Sequence, residues 1–343
     1  MYINDFLCIA PQKTYNLNGP ALPLIKHTGN TYQAQEPDYL SLIPAAVLRR
    51  MAKYTRMGVG TALPLLKKHP ETEAIIIGTA NGGVDDTMQF LIQIEQYDEG
   101  TLTPTNFVKS TPNALSGALS MMCNNYGYNT THVHEGLAFE NALLDASMYM
   151  ENHKKAKVLI GAAEEISQWN YNINARRSFY KSETTDSENL INAQTQGSVC
   201  GEGAVMFIVS LQKLNAVAKI EGTSSIMSKD VNDVLSTAQK LIPDDTPVDA
   251  IMAGFSGDIR YNHYYDLLYD KLGKQSGLFS FKNLCGDYPT VSSFALWLSA
   301  CILNGYDYPE AICLKRSTKD LRRILIYNNY QGFMHGFILL SLP

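Results

Sequence analysis

The chain has 343 residues, 45% hydrophobic and 18% charged, with a formal net charge of −5. That is enough to bury a large core in one big domain or two fused halves. No Lys/Arg-rich run supports nucleic-acid binding, and no apolar run is long enough to span a bilayer. In chain order, residues 2–10 read as a first strand stopped by Pro11, and residues 12–40, rich in Gly, Pro, Asn and Gln, read as covering loops. Residues 44–69 read as a helix. Glu73-Ala74-Ile75-Ile76-Ile77-Gly78 is a buried strand that ends in a glycine turn, followed by a helix over 85–95. Residues 104–110 read as an irregular approach and 113–126 as a Leu/Met/Ala-rich helix. Tyr128-Asn129-Thr130-Thr131 is a short polar approach to His132-Val133-His134-Glu135-Gly136-Leu137, which opens an apolar helix ending near His153. A strand over 157–163, polar loops over 168–195 and a strand over 201–210 follow.

The pattern restarts after Leu214. Strands are predicted over 216–222, 248–253 and 278–282, and helices over 231–242, 263–272 and 291–303. Closing strands are predicted over 312–314, 323–327 and 336–342. Strands alternating with helices indicate α/β layers, here as two similar halves, 1–214 and 215–343.

The stretch from His132 to Leu143 organises the chain. Glycine at Gly136 permits a sharp turn, and the helix that follows offers unpaired N–H groups and a positive dipole end. A nucleophile belongs at such an elbow, yet residues 132–140 hold no Cys, Ser or Thr. His132 and His134 alternate as on a strand. With Glu135 they are candidate metal ligands, His134 and Glu135 are a candidate acid–base dyad, and both histidines also suit a polar pocket or interface. Six scattered cysteines without C-x-x-C spacing fit reduced, buried thiols and imply neither a zinc nor a redox site. Cys200 and Cys285 alone lie in motif segments, as substitute nucleophiles or as small core residues. Ser256 precedes Gly257-Asp258 but lacks the G-x-S-x-G elbow of a hydrolase. The start, Met1-Tyr2-Ile3-Asn4-Asp5, has neither the basic nor the apolar stretch of a secretion signal, so a cytoplasmic location is expected.

Several stretches, in order, resemble the β-ketoacyl synthase family. Ser110-Thr111-Pro112-Asn113-Ala114 resembles its Ser-x-His-Asn-Ala. Gly161-Ala162-Ala163-Glu164 resembles its Gly-Gly-Ala-Glu, and Gly201-Glu202-Gly203-Ala204 its GEGA motif. Met252-Ala253-Gly254-Phe255-Ser256-Gly257-Asp258 falls where the family writes His-Gly-Thr-Gly-Thr. Phe281-Lys282-Asn283-Leu284-Cys285-Gly286-Asp287 falls where it writes Lys-Ser-x-x-Gly-His. Of its glycine-rich Phe-Gly-Gly-Thr-Asn segment, residues 328–336 keep only Asn328, Gly332 and Gly336.

The resemblance implies a thiolase-like fold with five α-β-α-β-α layers. It implies a decarboxylating condensation by a cysteine and two histidines on acyl carrier protein, with no cofactor and no metal. Carried over position by position, the nucleophile falls near Gly136, in a range reaching back to His134, the first histidine on Gly254 and the second on Asp287, while Lys282, Glu202 and Asn113 remain. The chain is therefore expected to be condensation-deficient. It is similar to chain-length factors and to ketosynthase-like proteins of aryl-polyene and flexirubin clusters, which share Phe139-Glu140 and Cys285-Gly286-Asp287-Tyr288. Such a protein would dimerise with an active ketosynthase or with itself, through an edge strand near 157–163. Two alternatives are an enzyme of altered acyl-thioester chemistry using His134, Glu135, Lys282 and Asp287, and a structural homodimer that docks carrier protein.

Overall fold

The computed structural model describes residues 1–242 and 247–343. The chain begins with β1 (Tyr2–Ile9), β2 (Thr31–Tyr32), α1 (Ala45–Leu48), α2 (Lys53–Lys68), β3 (Thr72–Thr79), α3 (Val84–Gln96), α4 (Pro104–Lys109) and α5 (Ala114–Cys123). It continues with β4 (Tyr128–Val133), α6 (Ala138–Asn152), β5 (Lys157–Glu164), α7 (Gln168–Arg176), β6 (Cys200–Gly201) and β7 (Gly203–Ser210). Next come β8 (Ala218–Met227), α8 (Val231–Leu241), β9 (Ala250–Ala253), α9 (Asn262–Leu272), β10 (Gly277–Ser280) and α10 (Lys282–Cys285). The chain closes with α11 (Ser292–Leu303), β11 (Cys313–Lys315), β12 (Arg323–Tyr330) and β13 (Met334–Ser341).

Strands β4, β3, β5, β7 and β1 lie side by side, as do β8, β13, β12, β9, β10 and β11. The two sets meet where Tyr2 pairs with Lys219 and Ile3 with Ala218. Both sets are buried on both faces, so their strands read as nearly unbroken apolar runs. Period-two alternation sends Ile76 and Ile160 into a central layer, and Ile75, Ile77 and Leu159 into an outer layer beneath α2 and α5. In β1 a bulge between Ile3 and Asp5 shifts this alternation, so Ile3 and Cys8 share the central face. The far outer layer packs Val234, Ala238 and Leu268 of α8 and α9 on Ile251, Leu325 and Leu339. Helices α6 and α11 fill the middle, and every residue of α11 is buried, which its all-round apolar sequence requires. These are the five layers the sequence leads one to expect.

Four local expectations need correction. The strand over 157–163 is no edge: β5 lies between β3 and β7, and the edge of that set is β4. The supposed polar approach at residues 128–131 is part of β4, paired in parallel with β3. Residues 104–110 and 168–195, expected to be irregular, contain α4 and α7; Pro104 opens α4, and Ser167 with Asn170 forms a capping box on α7. The helix expected over 44–69 breaks between α1 and α2.

Candidate active site

Glu135 bends the chain out of β4 with φ of 43°, and Gly136 follows in a buried turn leading into α6. The glycine has a steric reason. A Cβ on Gly136 would lie 2.4 Å from Tyr330 Cβ and 2.6 Å from its Cγ. Tyr330 ends β12, in the segment that has lost the family's glycines, and its side chain occupies the room a nucleophile's side chain would need. The β12–β13 turn that aims Tyr330 is held open to no alternative: Asn329 Oδ1 accepts from Gly332 N at 2.8 Å, and Tyr264 OH donates to Gly332 O at 3.1 Å. Gln331 and Gly332 are both left-handed there, with φ of 57° and 76°. Glutamine is a poor choice for that conformation, where Asn or Gly is favoured. Gln331→Asn is expected to raise stability by about 0.5–1 kcal/mol, read as a shift of the urea midpoint at unchanged slope.

Gly254, expected to stand at the first family histidine's place, is closed as well. A Cβ on Gly254 would lie 2.7 Å from Asn328 Oδ1, 3.0 Å from Tyr265 OH and 3.1 Å from Lys282 Cε. At Asp287, expected at the second histidine's place, Oδ1 sits 2.8 Å from Lys282 Nζ, so a buried lysine and a partly buried acid form an ion pair. Lys282 Nζ also donates to Asn329 O at 3.3 Å. A pair of this kind neutralises itself and leaves neither group free to hold an oxyanion.

The other candidates do not converge on the elbow. His134 and Glu135 are exposed, and His134 Nδ1 contacts Asn141 Nδ2 at 2.8 Å. His132 Nε2 contacts Asp145 Oδ2 at 2.8 Å, which ties β4 to α6. Among the described residues no three His, Cys, Asp or Glu side chains gather as metal ligands. Burial pushes the Cys200 thiol up to about 12 and the Cys285 thiol well above its ordinary value, the opposite of an activated nucleophile. Asn113 is exposed at the start of α5.

The retained motif acids hold backbone. Glu202 accepts from Ala34 N at 2.8 Å and Ile166 N at 2.9 Å and pairs with Lys53. Glu164 accepts from Ala80 N at 2.6 Å, and Glu165 from Tyr54 N at 2.8 Å and Asp85 N at 3.1 Å. These carboxyls fix the loops around the elbow. Burial raises Glu164 to about 8. One helical turn past Gly136, fully buried Glu140 lies against Gly336, with neither carboxyl oxygen hydrogen-bonded in the structure, and burial raises it to about 7.

What remains of the site is a cleft of about 20 Å³, room for roughly one water. Tyr180, Tyr261, Tyr265, Asp287, Asn329 and Tyr330 are among its walls. Tyr330 and Tyr265 were not singled out from the sequence, and Glu140 was only as part of the shared Phe139-Glu140 pair. The loss of glycine between Asn328 and Gly332 was the available signal for Tyr330.

Over residues 25–200 the sequence matches the β-ketoacyl synthase N-terminal domain. The chain belongs to the β-ketoacyl synthase family. This β-ketoacyl synthase homologue superposes on the ishigamide ketosynthase/chain length factor with a TM-score of 0.78 at 13% identity, covering 100% of this chain and 98% of that one. It superposes on a ketosynthase in complex with its chain length factor from Xenorhabdus doucetiae with a TM-score of 0.75 at 12% identity, covering 100% and 98%. A third structure, a type II polyketide acyl carrier protein in complex with its hexaketide-bound ketosynthase, gives 0.74 at 14% identity, covering 100% and 99%. At these identities the likeness establishes the thiolase-like fold. A search of curated proteins finds no match to this β-ketoacyl synthase homologue. No described helix of it is long and apolar enough to cross a membrane.

Proposed function

We propose that this chain is a ketosynthase-like subunit that does not condense acyl chains itself. In this reading it works beside an active ketosynthase on acyl carrier protein, as a chain-length factor or partner in a type II system of the aryl-polyene or flexirubin kind. The observation that carries the reading is Tyr330 seated on Gly136, where a nucleophile's side chain would stand. The absent histidines at Gly254 and Asp287 add to it, because such groups act as a unit. Residues 1–214 and 215–343 are read as the two halves of the fold.

Strand β4 is the proposed pairing edge. Its outer side is an open ladder, it contains neither Pro nor Lys, and Tyr128 and Val133 on it are exposed. Exposed Met121, Tyr126, Leu144 and Met148 surround it in sequence and in the adjoining helices. An unguarded edge with apolar flanks is the surface a second thiolase-fold subunit would complete. The test is to mix the chain with an active ketosynthase and acyl carrier protein, then measure complex mass by light scattering and product length by mass spectrometry. A stable complex that alters product length, and that Val133→Arg abolishes, is the expected result. No complex with any active ketosynthase tried, and no change in product, would overturn the partner role.

A further inference from the structure

Lys181 is the one observation the site does not explain. Its side chain is fully buried, and taking an ammonium out of water costs several kcal/mol unless it is well paired. Its Nζ donates to Thr195 Oγ1 at 2.7 Å and to Gly257 O at 3.0 Å. The nearest carboxylate, Glu183, stands 3.9 Å away with its own side chain half exposed. Burial lowers the Lys181 pKa, which is the signature of incomplete compensation.

The position of this lysine suggests its use. Two segments line the cleft, one with Phe179, Tyr180 and Ser198 and one with Ser256, Asp258 and Tyr261. Lys181 joins the two segments through Gly257. Two further polar ties accompany it: Arg260 donates to Ser178 O at 2.7 Å, and the backbones of Thr195 and Asp258 bridge, with Ile259 N donating to Thr195 O at 3.2 Å. The residues between 178 and 198 have little apolar anchorage. Leu190, packed with Tyr32 and Val199, is the buried hydrophobic side chain in that stretch, and most of the others are partly or fully exposed. A segment held by polar ties over few buried contacts opens at lower cost than the core.

We infer that residues 178–198 form a strap that closes the cleft, and that Lys181 is the clasp holding it shut. The cleft beneath is small because the strap and Tyr330 close it from two directions. When the strap lifts, Cys200, which lies under it beside Tyr180 and is buried here, becomes accessible. Cys8, Cys285 and Cys301 are buried in the central core between the two sheet layers, so they report global unfolding.

The experiment is a time course of iodoacetamide labelling on the full chain, resolved by peptide mass, for the parent, Lys181→Met and Thr195→Val. Lys181→Met removes the tie to Gly257 O, whereas Thr195→Val removes only the bond within the strap that positions the ammonium. The expected result is Cys200 labelling at least about ten-fold faster in Lys181→Met, a change of about 1.4 kcal/mol in the opening equilibrium, and a smaller acceleration in Thr195→Val, with Cys8, Cys285 and Cys301 unchanged. Two results would overturn the proposal. One is an unchanged Cys200 rate in folded variants. The other is acceleration of all four thiols together, which would make Lys181 a part of global stability and no clasp.

Discussion

Placing a cysteine at Gly136 is expected to destabilise this chain by about 3 kcal/mol and to create no condensing enzyme. The added Cβ and sulfur would enter space that Tyr330 already holds at 2.4 Å, and a close-packed interior cannot yield that much without moving backbone. Tyr330→Gly alone is also expected to be costly, by about 2–3 kcal/mol, because it removes a partly buried aromatic ring. Together the two changes should be less destabilising than their sum by about 2 kcal/mol, since each removes the reason for the other's penalty. Only the double variant should carry an elbow thiol that iodoacetamide labels, because the thiol then sits at the start of α6 with room around it. Urea unfolding of the four proteins gives the coupling. Strictly additive losses would mean that Tyr330 and Gly136 do not constrain one another.

A second large effect concerns pH. Glu140 titrates near 7 in the folded chain against an ordinary value of 4.5, because burial disfavours its charged form. The folded chain therefore keeps a proton that the unfolded chain releases across that window. Stability is fully present below about 4.5 and falls as pH rises toward 7. For a completely buried group the total loss is about 3 kcal/mol. Glu164, raised to about 8, adds a loss of the same sign that extends further up. His335, lowered by burial from 6.5 to about 4, acts with the opposite sign below about 6.5, so the Glu140 contribution is read as the difference between parent and variant. The parent's advantage or deficit relative to Glu140→Gln should shift against the parent as pH rises from about 5 to about 8, and a difference that does not change with pH would show that Glu140 is ionised in the fold.

The layers were legible in the sequence because burial on both faces leaves long apolar runs. Ile75-Ile76-Ile77 in β3 and residues 158–163 in β5 are such runs. The same fact should have placed β5 inside its sheet, since a strand apolar on both faces cannot serve as an edge. The true edge, β4, escaped because its residues are polar or half exposed and carry no alternation. α4 and α7 escaped for a related reason: neither buries a residue, so no periodic stripe marks them, and only Pro104 and the Ser167–Asn170 box remain as local signals. At the site, the missing Cys and His were visible in sequence. The side chain that replaces them was not, because Tyr330 meets Gly136 across 194 positions of chain, the difference between 330 and 136. Lys282 pairs with Asp287, five positions on, whereas Glu202 is satisfied by distant Lys53 and two backbone amides.

The elbow carries no nucleophile and no room for one, and intact-mass spectrometry of the purified chain, after incubation with acyl- and malonyl-acyl carrier protein, decides the point. An unchanged mass and no condensation or decarboxylation product from this chain alone is the expected result. A covalent acyl adduct, or product formed without another ketosynthase, would contradict it, and the modified residue would identify the nucleophile.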